Sequence, residues 1–232
     1  MRPRRWQRWL LGLAVFVALG SPWWARPLLR QLTFFNVRHV EVRGTHFAMP
    51  SDLVARLRID TTFSIWNDLA PLEARVRLHP QIADVEIGRR LPSTLVLRVV
   101  ESDPVAFAPS PAGFRAYDAS GRLLPLDPAR TPVDLPIIPR RDTSLLRLLG
   151  ELKASDPNLY ARVSELRRAG KEELVLDLVS TLERTIPVRM MSDISVDRLA
   201  QVSLVERDLL FRHAHVNELD FRFKDQVIAR LQ

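Results

Sequence analysis

The sequence predicts an α+β protein: an N-terminal transmembrane helix, a domain of order strand, helix, helix, strand, strand, then a mixed α/β domain with a large antiparallel-rich sheet. Three observations carry this. Residues 10–25 form a run of sixteen without a charge near the start of a 232-residue chain. Apolar spacings of period two and of helical period alternate in the stated order between residues 37 and 99. Beyond Glu101, short alternating segments dominate and are broken by helical ones.

Composition limits the function classes. With 47% apolar and 26% charged residues, the chain can bury a real core, which excludes disorder throughout. It contains no cysteine, which removes disulfides and thiolate metal sites. The net charge of +7 is concentrated at the start, where Arg2, Arg4, Arg5, Arg8, Arg26 and Arg30 precede the first acid, Glu41. No basic stripe interleaved with aromatics follows, so nucleic acid is not an expected partner.

The uncharged run is just long enough to span a hydrocarbon core of about 30 Å. Trp9, Leu10, Leu13, Phe16, Trp23 and Trp24 are the expected anchor residues, the tryptophans lying at its two ends where amphipathic rings favour headgroups. The N-terminal arginines keep residues 1–9 in the cytoplasm and place the remainder outside. A cleaved signal peptide is the alternative, with Ala18, Leu19 and Gly20 as small cleavage-site residues, but the run continues to Ala25.

In the first exported domain, residues 33–101, Val40 and Val42 alternate with His39, Glu41 and Arg43, a half-buried strand ended by Gly44. Pro50 and Ser51 start a helix that aligns Leu53, Val54 and Leu57. Asn67 or Asp68 caps a second helix with Leu69, Leu72 and Val76 on one side, stopped by Pro80. Two strands follow, one with Ala83, Val85 and Ile87 inward, the other with Leu95, Leu97 and Val99, joined by a turn at Leu91, Pro92 and Ser93. Two helices over one face of three strands bury these stripes.

The second domain, residues 102–232, opens with a hairpin whose turn, residues 118–121, puts Gly121 where positive φ is needed. Thr143 caps a helix carrying Leu145, Leu148, Leu149 and Leu152, and Asp156-Pro157 starts a short one. Residues 163–170 fit a helix or a strand by local pattern, and residues 173–179 and 186–191 read as strands. A helix follows with Val196, Leu199, Val202 and Leu209 inward and Arg198, Glu206 and Arg207 outward. The final hairpin sets Leu219, Phe221 and Phe223 inward on one strand and Val227, Ala229 and Leu231 on the next, with Ile228 and Arg230 opposite.

No catalytic constellation is legible. His213 and His215 lack a third ligand at metal spacing, Glu172 and Glu173 point to opposite faces of a strand, and Ser164 and Ser203 lack a glycine elbow. The expectation is a protein that is not an enzyme and uses no cofactor or metal.

The stretch FFNVRHVEVRG, with HPQIADVEIGRRLPSTLVLRVVESDPVAF some forty residues on, resembles the FtsQ/DivIB family of bacterial cell-division proteins. Arg89 or Arg90, Pro92, Thr94, Leu95, Glu101, Pro104 and Ala106 fall on its pattern, and the element order is that of a polypeptide-transport-associated (POTRA) domain. ELDFRF is similar to the family's I-D-x-R-Y signature, with Phe223 in the tyrosine position. The resemblance implies that the segment VSEL, from Val163, forms a strand and not a helix. It further implies a single-pass inner-membrane protein at the division septum that binds FtsB and FtsL and helps recruit and regulate septal peptidoglycan synthesis. FtsB would add a strand at the last sheet edge, carried here by Arg222, Phe223, Val227, Ile228 and Ala229, with Arg167 and Arg168 facing an acidic group of FtsB. The alternative function is an envelope transport or chaperone module that binds polypeptides, although only one repeat of the domain is visible.

Overall fold

A computed structural model describes residues 27–111, 113–126, 133–180, 184–212 and 216–231. The expected membrane run with its anchor residues Trp9, Leu10, Leu13, Phe16, Trp23 and Trp24, and the pair His213 and His215, lie outside them. Among the described residues no helix is long and apolar enough to cross a membrane. The chain divides between Glu101 and Ser102 into two compact units.

The first unit contains β1 (His39–Arg43), α1 (Pro50–Leu57), α2 (Ala70–Arg77), β2 (Ile82–Arg90) and β3 (Thr94–Glu101). Its sheet has the order β1-β3-β2, with β1 parallel and β2 antiparallel to β3. Leu53, Leu57, Leu72 and Val76 of the helices meet Ile82, Val85, Ile87, Leu95, Leu97 and Val99 in one core, as the periodicities predict. One residue departs. Ala83 is exposed because a register shift between Ile82 and Asp84 gives the inward place to Ile82, a bulge that period two cannot reveal.

The carboxylate of Glu101 closes the unit. It accepts the backbone N–H groups of His46, Phe47 and Ala48 at 3.0, 2.8 and 2.8 Å, satisfying three donors of the loop after β1. Gly44 opens that loop at φ +87°, and a Cβ there would lie 2.2 Å from the Val99 carbonyl oxygen.

The second unit begins with an antiparallel hairpin, β4 (Pro104–Ser110) and β5 (Gly113–Asp118). The first of these strands escapes the sequence reading because its prolines mask the alternation. Gly121 adopts φ +82° in the turn after β5, where the turn chemistry requires it. Next come α3 (Thr143–Ser155), α4 (Pro157–Tyr160), β6 (Val163–Arg168), β7 (Glu173–Val179), β8 (Thr185–Met191), α5 (Val196–Phe211), β9 (Val216–Asp220) and β10 (Ile228–Leu231). Residues 163–168 are thus a strand, as the resemblance implies.

The five later strands form one sheet of order β10-β9-β8-β7-β6, antiparallel except for β8 beside β9, which α5 connects. Pro187 sits in β8 without breaking the sheet because β9 pairs only with Val188 and Arg189. The core joins Leu145, Leu149 and Leu152 of α3 and Leu199 and Val202 of α5 to Leu166, Leu176, Val188 and Leu219 of the strands.

Four expected positions are corrected. The α3 cap is Asp142, whose carboxylate accepts from the N–H groups of Ser144 and Leu145, so Thr143 is the first helical residue. Glu206 is turned inward, only 6% exposed, because Arg162 reaches its two oxygens at 2.8 and 2.6 Å and neutralises it. Phe223 and Leu231 are exposed at 43% and 55%, since β9 ends at Asp220 and β10 leaves the core after Ala229.

Candidate partner-binding edge

β10 pairs with β9 through Ile228 with Asp220, Ala229 with Leu219 and Arg230 with Glu218. Its other flank meets no strand among the described residues. The opposite flank of the sheet is closed. There the Ile137 N–H donates to the Ser164 carbonyl at 2.9 Å and the Leu166 N–H donates to the Ile137 carbonyl at 3.0 Å. On its far side the same segment bonds Phe107 of β4, whose N–H donates to the Pro136 carbonyl and whose carbonyl accepts from the Ile138 N–H. The sheet therefore offers a row of unpaired backbone groups at β10 and not at β6.

The side chains at that edge divide by face. Val227 and Ala229 pack on the core, while Ile228 and Leu231 are exposed at 41% and 55%. Arg230 lies opposite Glu218, which also binds Arg189 at 3.2 Å, so the edge cation is part of a cross-strand ladder. The turn that leads into β10 is tied to α5 by Arg198. Its Nη2 donates to the carbonyls of Phe223 at 2.6 Å and Gln226 at 3.3 Å, and its guanidinium lies 5.8 Å from the centre of the Phe221 ring. Sequence reasoning placed Arg198 outward and missed this, because a contact to backbone carbonyls leaves no trace in the pattern.

Of the expected partner-binding residues, Arg222, Phe223, Val227, Ile228 and Ala229 come together at this end of the sheet. Arg222 is committed within the chain. Its Nε and Nη2 grip Asp220 at 2.9 and 2.7 Å, and its Nη1 reaches Glu173 at 2.9 Å. The hydrogen bonds from Arg222 hold the buried Asp220 carboxyl below the usual carboxylate range, against the opposing effect of burial. Hydrogen bonds to Asp220, then Glu173, push the Arg222 guanidinium above its ordinary value.

Arg167 and Arg168 stand on β6, four strand spacings from β10, about 19 Å at about 4.8 Å per step. Arg168 donates from Nε to Asp142 at 2.7 Å and from Nη2 to the Ser144 hydroxyl at 2.7 Å. Burial raises the Asp142 pKa most, but the hydrogen bonds from Arg168 and Ser144 together bring it down to about 2. Arg167 spans Glu165 at 3.4 Å and Asp177 at 3.5 Å. Both arginines line a cleft of about 690 Å³ with Pro139, Arg140 and Leu145.

A family profile described as the FtsQ-type POTRA domain matches residues 35–102. The cell-division protein FtsQ of Zymomonas mobilis is 27% identical over 85% of this chain and 66% of its own length. The cell-division protein DivIB of Geobacillus kaustophilus is 22% identical over 68% of this chain and 63% of its own. A second FtsQ, of Novosphingobium aromaticivorans, is 33% identical over 38% of this chain and 28% of its own. Along most of its length the chain is similar to FtsQ/DivIB cell-division proteins, and its first unit matches their POTRA profile. It spans just under two thirds of the length of the first two FtsQ/DivIB relatives. The solved extracytoplasmic domain of Geobacillus stearothermophilus DivIB overlaps 48% of this chain and 96% of its own at 17% identity and a TM-score of 0.33, too loose a fit to bear on the fold.

The residues that carry the FtsQ/DivIB pattern in the first unit serve its architecture. Leu95 is fully buried and Thr94 is 8% exposed. Arg89 donates to the carbonyls of Ile65 at 2.6 Å and Asn67 at 3.0 Å, fastening the segment before α2 to β2. Glu101 holds the loop after β1 as described above.

Proposed function

We propose that this chain is a non-enzymatic divisome assembly protein, anchored in the inner membrane by residues 10–25 with residues 1–9 in the cytoplasm. Its exported part, a POTRA domain over residues 33–101 and a second domain over residues 102–232, binds FtsB and FtsL at the division septum. This helps to recruit and regulate septal peptidoglycan synthesis. The observation that carries the reading is the edge of the five-stranded sheet at β10, unpaired among the described residues, to which FtsB adds a strand. Backbone groups supply affinity there, and Ile228, Leu231 and Phe223, exposed beside it, select the partner's side chains.

Val227 and Ala229 support the strand from the core side, and Arg222 fixes the bend that leads into it. Arg167 and Arg168 form a basic rim at the other end of the sheet for an acidic segment of the same partner. The test is retention of an FtsB-like peptide by the full chain in detergent, with and without residues 227–232. Retention by the intact chain and loss on truncation, with the thermal unfolding midpoint preserved to within a few degrees, supports the reading. Equal retention by both chains rejects it.

A further inference from the structure

The first unit has an apolar end that the division-partner reading leaves unused. Leu28, Leu32 and Phe34 are 55%, 47% and 61% exposed, and Leu91, at the tip of the turn between β2 and β3, is 61% exposed. Backbone bonds bring these two stretches to the same end of the sheet. The N–H groups of Arg38 and His39 donate to the Ser93 carbonyl at 2.9 and 3.3 Å, beside the pairing of His39 with Thr94.

The segment before β1 is held there and does not dangle. Arg30 Nε donates to the Trp66 carbonyl at 3.0 Å, Val37 N–H to Phe63 at 2.8 Å, and the Phe35 carbonyl accepts from Ile65 at 2.9 Å. Phe35 sits edge-on to Trp66 at 5.9 Å, and Phe34 edge-on to Phe35 at 5.1 Å, so the exposed ring of Phe34 rests on a buttressed base.

We infer that this end of the first unit rests in the headgroup layer of the same membrane that holds residues 10–25. The inference rests on the membrane-anchor reading of that run. Chain continuity supports it. One residue separates Ala25 from the helical turn at residues 27–30, and a 3-10 turn covers Thr33–Phe35. The nine chain steps from Ala25 to Phe34 reach at most about 30 Å when fully extended, and the turns at 27–30 and 33–35 shorten that. Charge supports it as well. Arg30 and Arg38 flank the apolar side chains, Arg26 precedes them in sequence, and no acid occurs before Glu41, a pattern suited to anionic headgroups. A face of leucine and phenylalanine rimmed by arginine and continuous with a membrane run matches a lipid surface better than a folded partner. Seated there, the tip fixes the tilt of the first unit on the membrane.

The absence of native cysteine makes the test direct. Full-length chains carrying Leu91→Cys, Leu32→Cys, Val100→Cys or Ala18→Cys are spin-labelled and reconstituted in phosphatidylethanolamine–phosphatidylglycerol vesicles. Collision with oxygen and with a water-soluble nickel chelate is then measured. Val100, 60% exposed on β3, is matched to Leu91 in exposure and serves as the aqueous reference. The expected result is nickel accessibility several-fold lower at Leu91 and Leu32 than at Val100, with raised oxygen accessibility. Nickel accessibility at Leu91 equal to that at Val100 overturns the inference, and so does protection that appears only on adding another division protein. The Ala18 label separates the two failures. A lipid-buried Ala18 with an aqueous Leu91 rejects the resting surface alone, whereas an aqueous Ala18 rejects the anchor and the inference with it.

Discussion

Arg168 and Asp142 meet at 2.7 Å, so the guanidinium that the family resemblance turns toward a partner's acid already completes the cap of α3. Asp142 receives two backbone N–H groups, the Ser144 hydroxyl and Arg168 together. Replacement of Asp142 by alanine removes the cap and is expected to cost about 1 kcal/mol in urea unfolding. Arg168→Ala is expected to cost a similar amount, and the double variant less than the sum of the two. Strict additivity would show that the pair is not coupled.

The same carboxylate sets an acid limit. Its folded pKa of about 2 lies below the ordinary value of 3.8 that the unfolded chain recovers, so its contribution to stability is complete above about pH 4 and is lost as the pH falls through about 2. Asp220, lowered by Arg222, acts in the same direction. Carboxyl-detected NMR titration is expected to give Asp142 a midpoint near 2, and Arg168→Ala is expected to raise it. A midpoint near 3.8 in the intact chain would contradict the ion pair.

The open edge makes a prediction about neighbours. Of two adjacent residues on an edge strand, one directs its N–H inward to the ladder and the other outward. Proline at Ile228 and at Ala229 is therefore expected to give opposite phenotypes. One variant loses stability by weakening the pairing of β9 with β10, and the other keeps its stability but loses the partner peptide. Unchanged peptide retention in both, measured by fluorescence anisotropy, would exclude strand addition at β10.

Phe221 and Phe223, two residues apart, are expected to behave oppositely. Phe221 is 3% exposed and its loss to alanine is expected to cost about 3–5 kcal/mol. Phe223 presents its ring to solvent and its carbonyl to Arg198, so Phe223→Ala is expected to change stability by less than about 0.5 kcal/mol while weakening partner binding. Thermal unfolding and peptide titration on the two variants distinguish these outcomes.

Gly44 and Gly113 separate two causes of glycine dependence. Both have positive φ, but a Cβ at Gly113 meets nothing within 4 Å, whereas one at Gly44 strikes the Val99 carbonyl. Gly113→Ala is expected to cost about 1 kcal/mol from backbone strain alone. Gly44→Ala adds a clash with β3 and is expected to unfold the first unit at a temperature well below that of the native chain, as followed by calorimetry.

Much of this architecture is legible in the pattern because most elements keep at least part of one face wet. Leu95, Leu97 and Val99 alternate with residues of the other face, and Leu145, Leu149 and Leu152 repeat at helical spacing. Where the chain makes a bulge, as at Ile82 to Asp84, the period slips by one residue and Ala83 is misplaced. Where a charge is buried with a partner distant in sequence, as Glu206 with Arg162, polarity misleads. The segment around Ile137 is the most consequential omission. It pairs on both flanks through a few bonds among prolines, too short to show any period.

That short segment gives the sheet a direction. With one flank stitched to the hairpin of β4 and β5, the five-stranded sheet leaves β10 as its unpaired edge among the described residues, so on the proposed function extension would start from β10, as a template is copied from a single primed end. Each strand laid down there becomes the next terminus, so whether growth stops after one addition is decided by the incoming polypeptide. A guest whose outer rim carries proline, charge or a helix ends the series, and one with a bare rim hands the template on.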